Sequence, residues 1–123
     1  LNLGVGRNAT VRASREWLRR AIDIFIDNAV EAVADSPTKW ISLATYPVDG
    51  GVEITITNSG PEIPPHIRND LFERPIEKEK GAKGLGVGLL LAQTIAQTYN
   101  GKTWLKSSDP VSTTMAIWLP LEK

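Results

Sequence analysis

The feature that most constrains the fold of this chain is a long amphipathic pattern in its first third. From Arg15 to about Ala34, apolar side chains recur every three or four positions, at Trp17, Leu18, Ala21, Ile22, Phe25, Ile26, Ala29, Val30 and Val33. This spacing predicts an α-helix with one buried face. Ser14 precedes the pattern as a residue type that caps helices, and Pro37 follows its predicted end.

Alternating apolar and polar residues predict five β-strands around the helical segments. Two of these runs flank the turn residues 49–51, which predicts an antiparallel hairpin. A second turn is expected at Asp109 and Pro110, between the last two runs. The predicted strands are 9–13, 40–46, 52–57, 103–106 and 113–119.

Two further helices are predicted in the second half of the chain. Pro64 and Pro65 can start a short helix that runs through Leu71 and Phe72. The stretch 73–83 is charged and lacks apolar periodicity, which is typical of a lid or a disordered loop. A second long helix is expected from about 86 to 99, and Asn100 and Gly101 close it as a C-cap.

Composition favours one compact domain over residues 1–123. An apolar content of 41% is enough for a hydrophobic core. The 14 Lys and Arg residues balance the 14 Asp and Glu residues, so no net electrostatic field would attract nucleic acid or an anionic membrane. The absence of cysteine excludes disulfides and thiolate chemistry and fits the cytoplasm. No stretch is long enough to span a membrane, and the start at Leu1 suggests a fragment of a longer chain.

A run of alternating glycines leads directly into the second long helix. Gly84, Gly86 and Gly88 alternate with Leu85 and Val87. Glycines let a backbone approach a ligand closely, and the free N–H groups at a helix N-terminus attract phosphate. The spacing fits neither the dinucleotide-binding fingerprint nor the P-loop, so tight helix packing remains the alternative.

Two asparagines are candidate ligand-binding residues. The carbonyl of Asn28, in the first helix, is a neutral oxygen suited to Mg²⁺, although a structural hydrogen bond is the alternative. Asn58 follows a predicted strand and could offer a donor and an acceptor to the edge of a base. Gly60 would allow a close backbone approach there, and a simple turn is the alternative.

The order of these segments resembles the histidine-kinase-type ATP-binding domain of the GHKL superfamily. The matching stretches are IDNAVEA, TNSGPEIP, LFERP and GLGVGLLLAQTIA, which correspond to the N, G1, F and G2 boxes. The resemblance implies the Bergerat fold, an α+β two-layer sandwich. Its mixed, mostly antiparallel sheet of about five strands is covered on one face by three helices. ATP and Mg²⁺ are the implied ligands.

The resemblance also implies roles for individual residues. Asn28 matches the N-box asparagine that coordinates Mg²⁺ beside the triphosphate. Asn58 stands where the G1 box usually has an aspartate that accepts a hydrogen bond from the adenine amino group. Its amide carbonyl can still accept that bond but without charge assistance, which implies weaker or less base-selective binding. Gly60 matches the glycine of that box, and Ile63 matches the apolar residue that lies against the base.

The later boxes depart further from the family pattern. Phe72 matches the F box, but Pro75 and Ile76 replace its second aromatic residue. Cations in the segment that resembles the ATP lid could reach the terminal phosphates, or could simply be solvated; they are Lys78, Lys80 and Lys83. The catalytic residues implied in this way are Asn28, Lys80 and Lys83.

The glycine run and the closing strand complete the implied nucleotide site. The three glycines match those of the G2 box, with Leu85 where a small hydroxyl residue is common. The residues implied to bind nucleotide in this segment are Gly84, Leu85, Gly86, Val87 and Gly88. Thr113 and Thr114 resemble the threonine pair of the closing strand, and we assign the approach to adenine to Thr114.

Two positions bear on the type of reaction. In hydrolysing relatives such as gyrase B and MutL, a glutamate one turn before the N-box asparagine activates water, and Ile24 stands there instead. Without a general base we expect little ATP hydrolysis. His66, the only histidine, lies outside any long helical hairpin, so the phosphoacceptor must come from another segment or protein.

The resemblance therefore implies the catalytic half of a two-component sensor histidine kinase. It would bind ATP and ADP and donate the γ-phosphoryl group to a histidine on a separate dimerisation domain. A response regulator would be an indirect partner, and a membrane anchor would belong to the full-length protein. The alternatives are a serine kinase of the anti-sigma-factor class, a degenerate nucleotide sensor that transfers no phosphate, and an α/β domain with incidental glycines.

Overall fold

The computed structural model describes residues 13–73 and 88–121, which form a sheet with helices on one face. The predicted order of helices and strands is confirmed over these residues. The elements are α1 (Arg15–Val33), β1 (Ile41–Val48), β2 (Gly51–Asn58), the short 3-10 helix η1 (Pro65–Asp70), α2 (Gly88–Thr98), β3 (Lys102–Ser108) and β4 (Thr113–Pro120).

The four described strands form one antiparallel sheet in the order β1-β2-β4-β3. This part of the sheet differs from the prediction of about five strands in a mixed arrangement. The predicted first strand, 9–13, lies outside the described residues except for Ala13, which is in a bend. Strand β2 is central and almost entirely buried, so the residue at its end, Asn58, is held in the interior.

Helix α1 begins and ends where its sequence pattern predicts. The Ser14 hydroxyl oxygen accepts a hydrogen bond from the Trp17 backbone N–H at 3.4 Å, which caps the helix. The helix packs against α2 and β2. Trp17 and Val30 belong to the apolar pattern but are 53% and 52% exposed, so the buried face is narrower than predicted. The buried residues of α1 are Leu18, Ala21, Ile24, Phe25, Ala29 and Val33.

The end of α2 is held by a left-handed cap. Asn100 adopts φ +65°, the Gly101 N–H donates to the Ala96 carbonyl at 2.8 Å, and the Asn100 N–H donates to the Gln97 carbonyl at 3.1 Å. These two bonds form a Schellman motif and confirm the predicted C-cap. Asparagine supplies the left-handed residue because its short polar side chain tolerates that conformation.

The core lies between the helices and the inner face of the sheet. Phe25 from α1 meets Phe72 edge to face, with ring centroids 6.1 Å apart and an interplanar angle of 74°. The Gln93 side-chain oxygen accepts hydrogen bonds from the backbone N–H and hydroxyl of Thr103, which joins α2 to β3. These hydrogen bonds fix α2 to the edge of the sheet.

The outer face of the sheet carries polar and aromatic side chains. The buried carboxylate of Glu53 pairs with Lys106, whose ammonium also lies 5.8 Å from the centre of the Tyr46 ring. The Trp118 indole N–H donates to the Val48 carbonyl at 2.7 Å. Within residues 13–73 and 88–121, no helix is long and apolar enough to cross a membrane.

Candidate functional site

A cleft of about 820 Å³ opens between the second half of α1 and the loop that follows β2. Two carboxylates, Glu31 and Asp35, face it, and no lysine or arginine does so in the described part of the chain. An anionic ligand would therefore need cations from elsewhere. The lining residues are Asn28, Glu31, Ala32, Asp35, Ser36, Pro37, Thr38, Trp40, Ser59, Gly60, Pro61, Pro110 and Val111.

Asn28 lines this cleft from α1 and is only partly buried. Its side-chain Nδ2 donates to the Met115 sulfur at 3.6 Å, which is a weak hydrogen bond. Its carbonyl oxygen makes no hydrogen bond within residues 13–73 and 88–121. The amide is thus oriented through its nitrogen while its oxygen remains available to a ligand.

Asn58 is the most unusual polar residue near the cleft. It ends β2, pairs in register with Thr113 of β4, and is 4% exposed. Its Nδ2 atom has no hydrogen-bond partner among the residues that the structure describes. A buried donor without a partner costs about 1–3 kcal/mol, so this amide has a strong need for an acceptor from another source.

Gly60 brings the loop after β2 into close contact with α1. A Cβ atom at this position would lie 2.5 Å from Asn58 Nδ2 and 2.9 Å from both the Cβ and the carbonyl oxygen of Ala32. The two Ala32 atoms are a methyl carbon and a backbone oxygen of α1, which cannot rotate out of the way. A glycine is therefore required here for packing between the loop and the helix, and the same packing forms one wall of the cleft.

We expect Gly60→Ala to lower the free energy of unfolding by about 1–3 kcal/mol, because the added methyl overpacks this contact. Urea denaturation measures the change. Gly50→Ala is the matched control, since Gly50 has φ +73° but a methyl added there would have no atom within 4 Å. That variant reports backbone strain alone, at about 1 kcal/mol. A Gly60→Ala protein as stable as the wild type would contradict the steric requirement.

A hydrogen-bond network fixes the loop after Gly60. The Ile63 N–H donates to the Ser108 hydroxyl at 2.9 Å, and the Ser108 and Thr113 hydroxyls are 2.7 Å apart. Arg68 donates to the Ile63 carbonyl at 3.0 Å, to Glu62 at 2.9 Å and to the Ser108 carbonyl at 3.3 Å. Sequence reasoning missed Arg68 and Ser108, because nothing local marks which loop an arginine ties down.

The opposite rim of the cleft is also anchored. The Ser59 hydroxyl donates to the Thr38 carbonyl at 2.7 Å and accepts from the Trp40 N–H at 3.0 Å. The Ser36 hydroxyl donates to the Ser59 carbonyl at 3.2 Å. The segment after α1 is thereby tied to the end of β2, which keeps the cleft open.

The turn between β3 and β4 supplies the remaining rim. The Asp109 carboxylate accepts hydrogen bonds from the N–H groups of Val111 at 2.7 Å and Ser112 at 3.0 Å. The Ser112 and Val111 N–H groups hold the pKa of Asp109 below its ordinary value. The predicted turn at Asp109 and Pro110 is thus confirmed, and it places Pro110 and Val111 at the cleft.

The two adjacent threonines of β4 lie on opposite faces of the sheet. Thr113 is buried beside Asn58 on the inner face. Thr114 lies on the outer face, where its hydroxyl is 2.8 Å from that of Thr57. The structure therefore does not bring Thr114 to the side of the sheet that carries Asn58, contrary to our expectation, and Thr113 is the threonine of the pair that lies there. The reason is that successive side chains of a strand point to opposite faces.

Other residues expected at the site lie in or near the core. Ile63 is partly buried and packs against the core cluster, and Phe72 is 7% exposed within it. Phe72 lines a different cavity of about 380 Å³, beside Gln93 and Thr103, so the structure does not bring it to the cleft. Gly88 is the buried first residue of α2.

Several residues assigned from the sequence lie outside the described residues. They are Pro75, Ile76, Lys78, Lys80, Lys83, Gly84, Leu85, Gly86 and Val87. Their assignments to the F box, the lid and the G2 box stay predictions.

The sequence of this chain matches the model of a known family. The family described as "Histidine kinase-, DNA gyrase B-, and HSP90-like ATPase" matches residues 13–123. The chain belongs to this family. The match covers every described element, including the cleft-lining parts of α1, the loop after β2 and the turn before β4.

Two relatives that are similar to this chain in sequence are sensor proteins. The chain is 28% identical over 109 residues to the heme sensor protein HssS of Staphylococcus haemolyticus, covering 89% of this chain and 24% of HssS. It is 32% identical over 104 residues to the C4-dicarboxylate transport sensor protein DctB of Rhizobium meliloti, covering 85% of this chain and 16% of DctB. The chain thus spans a quarter or less of these two relatives.

A solved structure also supports the membership of the chain in this family. The chain superposes on the mycobacterial sensor histidine kinase MprB with a TM-score of 0.77 and 28% sequence identity. The alignment covers 91% of this chain and 77% of the MprB chain. The α+β sandwich expected from the sequence is therefore the fold of a histidine kinase relative.

Proposed function

We propose that this chain is the ATP-binding catalytic domain of a longer sensor histidine kinase. The observation that carries the proposal is a cleft lined by Asn28 and Gly60, with the buried, unpartnered amide of Asn58 directly behind Gly60, in a member of this ATPase family. A free carbonyl oxygen and a buried donor are the groups that a nucleotide with a bound cation would satisfy.

The base-binding end of the proposed site is formed by the end of β2 and its neighbours. Asn58 would contact the polar edge of the base, and Thr113 and Ile63 would complete the surroundings. The network through Ser108 and Arg68 holds the Ile63 backbone in place. Positioning of this kind lowers the entropic cost of holding a substrate for reaction.

The phosphate end of the proposed site depends on cations. Asn28 would hold Mg²⁺ through its free carbonyl oxygen, and bound Mg²⁺ would neutralise phosphate charge. Residues 13–73 and 88–121 contain no cluster of three or more His, Cys, Asp or Glu side chains that could hold a metal. This fits Mg²⁺, which takes few protein ligands when phosphates also bind it. Because Glu31 and Asp35 face the cleft, we assign additional charge neutralisation to Lys80 and Lys83.

The proposed reaction is transfer to a protein, with little transfer to water. Ile24, which stands where hydrolysing relatives carry a glutamate, is 5% exposed and belongs to the core. It can neither orient water nor accept its proton. The γ-phosphorus would form a bond to a histidine nitrogen as its bond to the bridging oxygen breaks, and ADP would leave.

The acceptor histidine is proposed to lie in a separate dimerisation domain, upstream in the full chain or in a dimer partner. His66 is exposed on the short helix η1, away from the residues that line the cleft. A response regulator would receive the phosphoryl group from that acceptor. We place the domain in the cytoplasm, with any membrane anchor elsewhere in the full-length protein.

Two measurements test the proposal. Calorimetry should detect ADP and ATP binding in the presence of Mg²⁺, and an added acceptor hairpin from a sensor kinase should become phosphorylated. A phosphohistidine is labile to acid and stable to base, whereas the phosphoserine product of an anti-sigma-type kinase survives acid. No binding at millimolar nucleotide would contradict the proposal, and binding without transfer would favour a nucleotide sensor. Fast phosphate release that Glu31→Gln abolishes would identify a hydrolase instead.

A further inference from the structure

We propose that Asn58 lets the base pocket accept 6-oxopurine nucleotides, such as inosine and guanosine phosphates, in addition to adenine nucleotides. The inference rests on the proposed function, because it assumes that a purine nucleotide occupies the cleft. It concerns the choice of base, which the family membership alone leaves open.

The unsatisfied amide of Asn58 is the starting point. The residue is 4% exposed, and among residues 13–73 and 88–121 its Nδ2 has no acceptor. Gly60, which lines the cleft, lies directly against this amide, since a Cβ atom on Gly60 would be 2.5 Å from Asn58 Nδ2. The donor therefore has little access to bulk water, and a bound ligand is the natural source of its acceptor.

The neighbouring polar groups already have partners. The Thr113 hydroxyl is engaged with Ser108 and with the Pro61 carbonyl, at 2.7 Å and 3.5 Å. The Asn28 amide nitrogen is directed to the Met115 sulfur. The free oxygen of Asn28 is the proposed Mg²⁺ ligand, so among the described residues Asn58 Nδ2 is the buried donor that is left to contact the edge of the base.

An amide and a carboxylate read a purine edge differently. Adenine presents an amino donor at position 6 beside the N1 acceptor, whereas a 6-oxopurine presents the O6 acceptor beside the N1–H donor. An amide has one oxygen acceptor and one NH₂ donor and can turn by half a rotation to match either edge. An ionised carboxylate only accepts, so it matches the adenine amino group and opposes O6.

Because the Asn58 side chain is uncharged, it also avoids an electrostatic repulsion that would oppose the binding of a 6-oxopurine. A carboxylate buried at this position would lie against O6 with two electron-rich atoms facing each other and no water between them. The asparagine avoids that repulsion. We therefore infer that relaxed base selectivity follows from this one residue, and that restoring the carboxylate restores the preference for adenine.

The experiment measures equilibrium binding of ADP, IDP and GDP, with Mg²⁺ held constant, to the wild-type chain, Asn58→Asp and Asn69→Asp. IDP isolates the effect of the 6-oxo group, since it lacks the 2-amino group of GDP. Asn69 is exposed on η1 and does not line the cleft, so Asn69→Asp makes the same chemical change as a control. Circular dichroism establishes that each variant is folded.

We expect the wild type and Asn69→Asp to bind IDP within about tenfold of ADP, and Asn58→Asp to prefer ADP by at least about a further tenfold. Wild-type binding of ADP with IDP more than about 100-fold weaker would overturn the inference and leave the proposed function intact. An unchanged ratio in a folded Asn58→Asp would also overturn it. Absence of binding by all three nucleotides would overturn the proposed function itself. The wild-type ratio remains decisive if Asn58→Asp does not fold.

Discussion

Replacing Asn28 with alanine is expected to lower the affinity for Mg²⁺-bound ADP or ATP about 100-fold and to abolish phosphoryl transfer. The Asn28 carbonyl oxygen faces the cleft without an internal partner among the described residues, and we propose that it holds the cation. Two carboxylates face the same cleft, so the triphosphate would be repelled once the cation is lost.

The fold should survive this substitution. Asn28 is only partly buried, and its described side-chain hydrogen bond is the weak one to Met115. Calorimetric titrations of nucleotide with Mg²⁺ and with EDTA separate a loss of the cation ligand from a general loss of affinity. Asn28→Ala should abolish the gain in affinity that Mg²⁺ provides. Asn69→Ala, on the exposed helix η1, is the control. A variant that keeps the full Mg²⁺-dependent gain would show that Asn28 is not a ligand.

Replacing Phe25 with alanine is expected to lower the free energy of unfolding by about 3–5 kcal/mol. Phe25 is 1% exposed and is the largest fully buried side chain among the described residues. Its ring meets Phe72 edge to face, so the substitution leaves a cavity between α1 and the segment after η1. Since small domains are stable by about 5–15 kcal/mol, the variant should be close to unfolding at room temperature.

Urea denaturation of wild type and variant measures this loss. Val30→Ala removes side-chain atoms from the same helix at a position that is 52% exposed, and it should cost less than about 1 kcal/mol. A Phe25→Ala protein within about 1 kcal/mol of the wild type would mean that the core collapses into the space and that the ring contact contributes little.

Local sequence patterns were enough to predict most elements. Three signals each depend on a few consecutive residues: the three- to four-residue spacing on α1, the cap at Ser14 and the turn at 49–51. These elements can therefore be predicted without knowledge of their tertiary contacts. The turn residues Asp49 and Gly50 adopt φ of +49° and +73°, as a tight hairpin turn requires. Similarly, Asn100 and Gly101 end α2 through bonds that stay within its last turn.

Patterns could not predict which apolar residues would be covered. Trp17 and Val30 have the spacing of a buried face but are more than half exposed. Periodicity defines an angular sector of the helix, and only the neighbouring elements determine how much of that sector they cover. The packing of α1 against α2 and β2 covers a narrower sector than the apolar residues span.

The sequence by itself determined the order of elements, their caps and turns, and the candidate residues Asn28, Asn58 and Gly60, because these depend on local chemistry. Only the tertiary structure decided that Thr113, and not Thr114, lies beside Asn58, since this follows from the register between β2 and β4. It also decided that the Asn58 donor has no partner among the described residues. Whether a buried polar atom is satisfied depends on atoms far apart in the chain, and the fold alone brings them together.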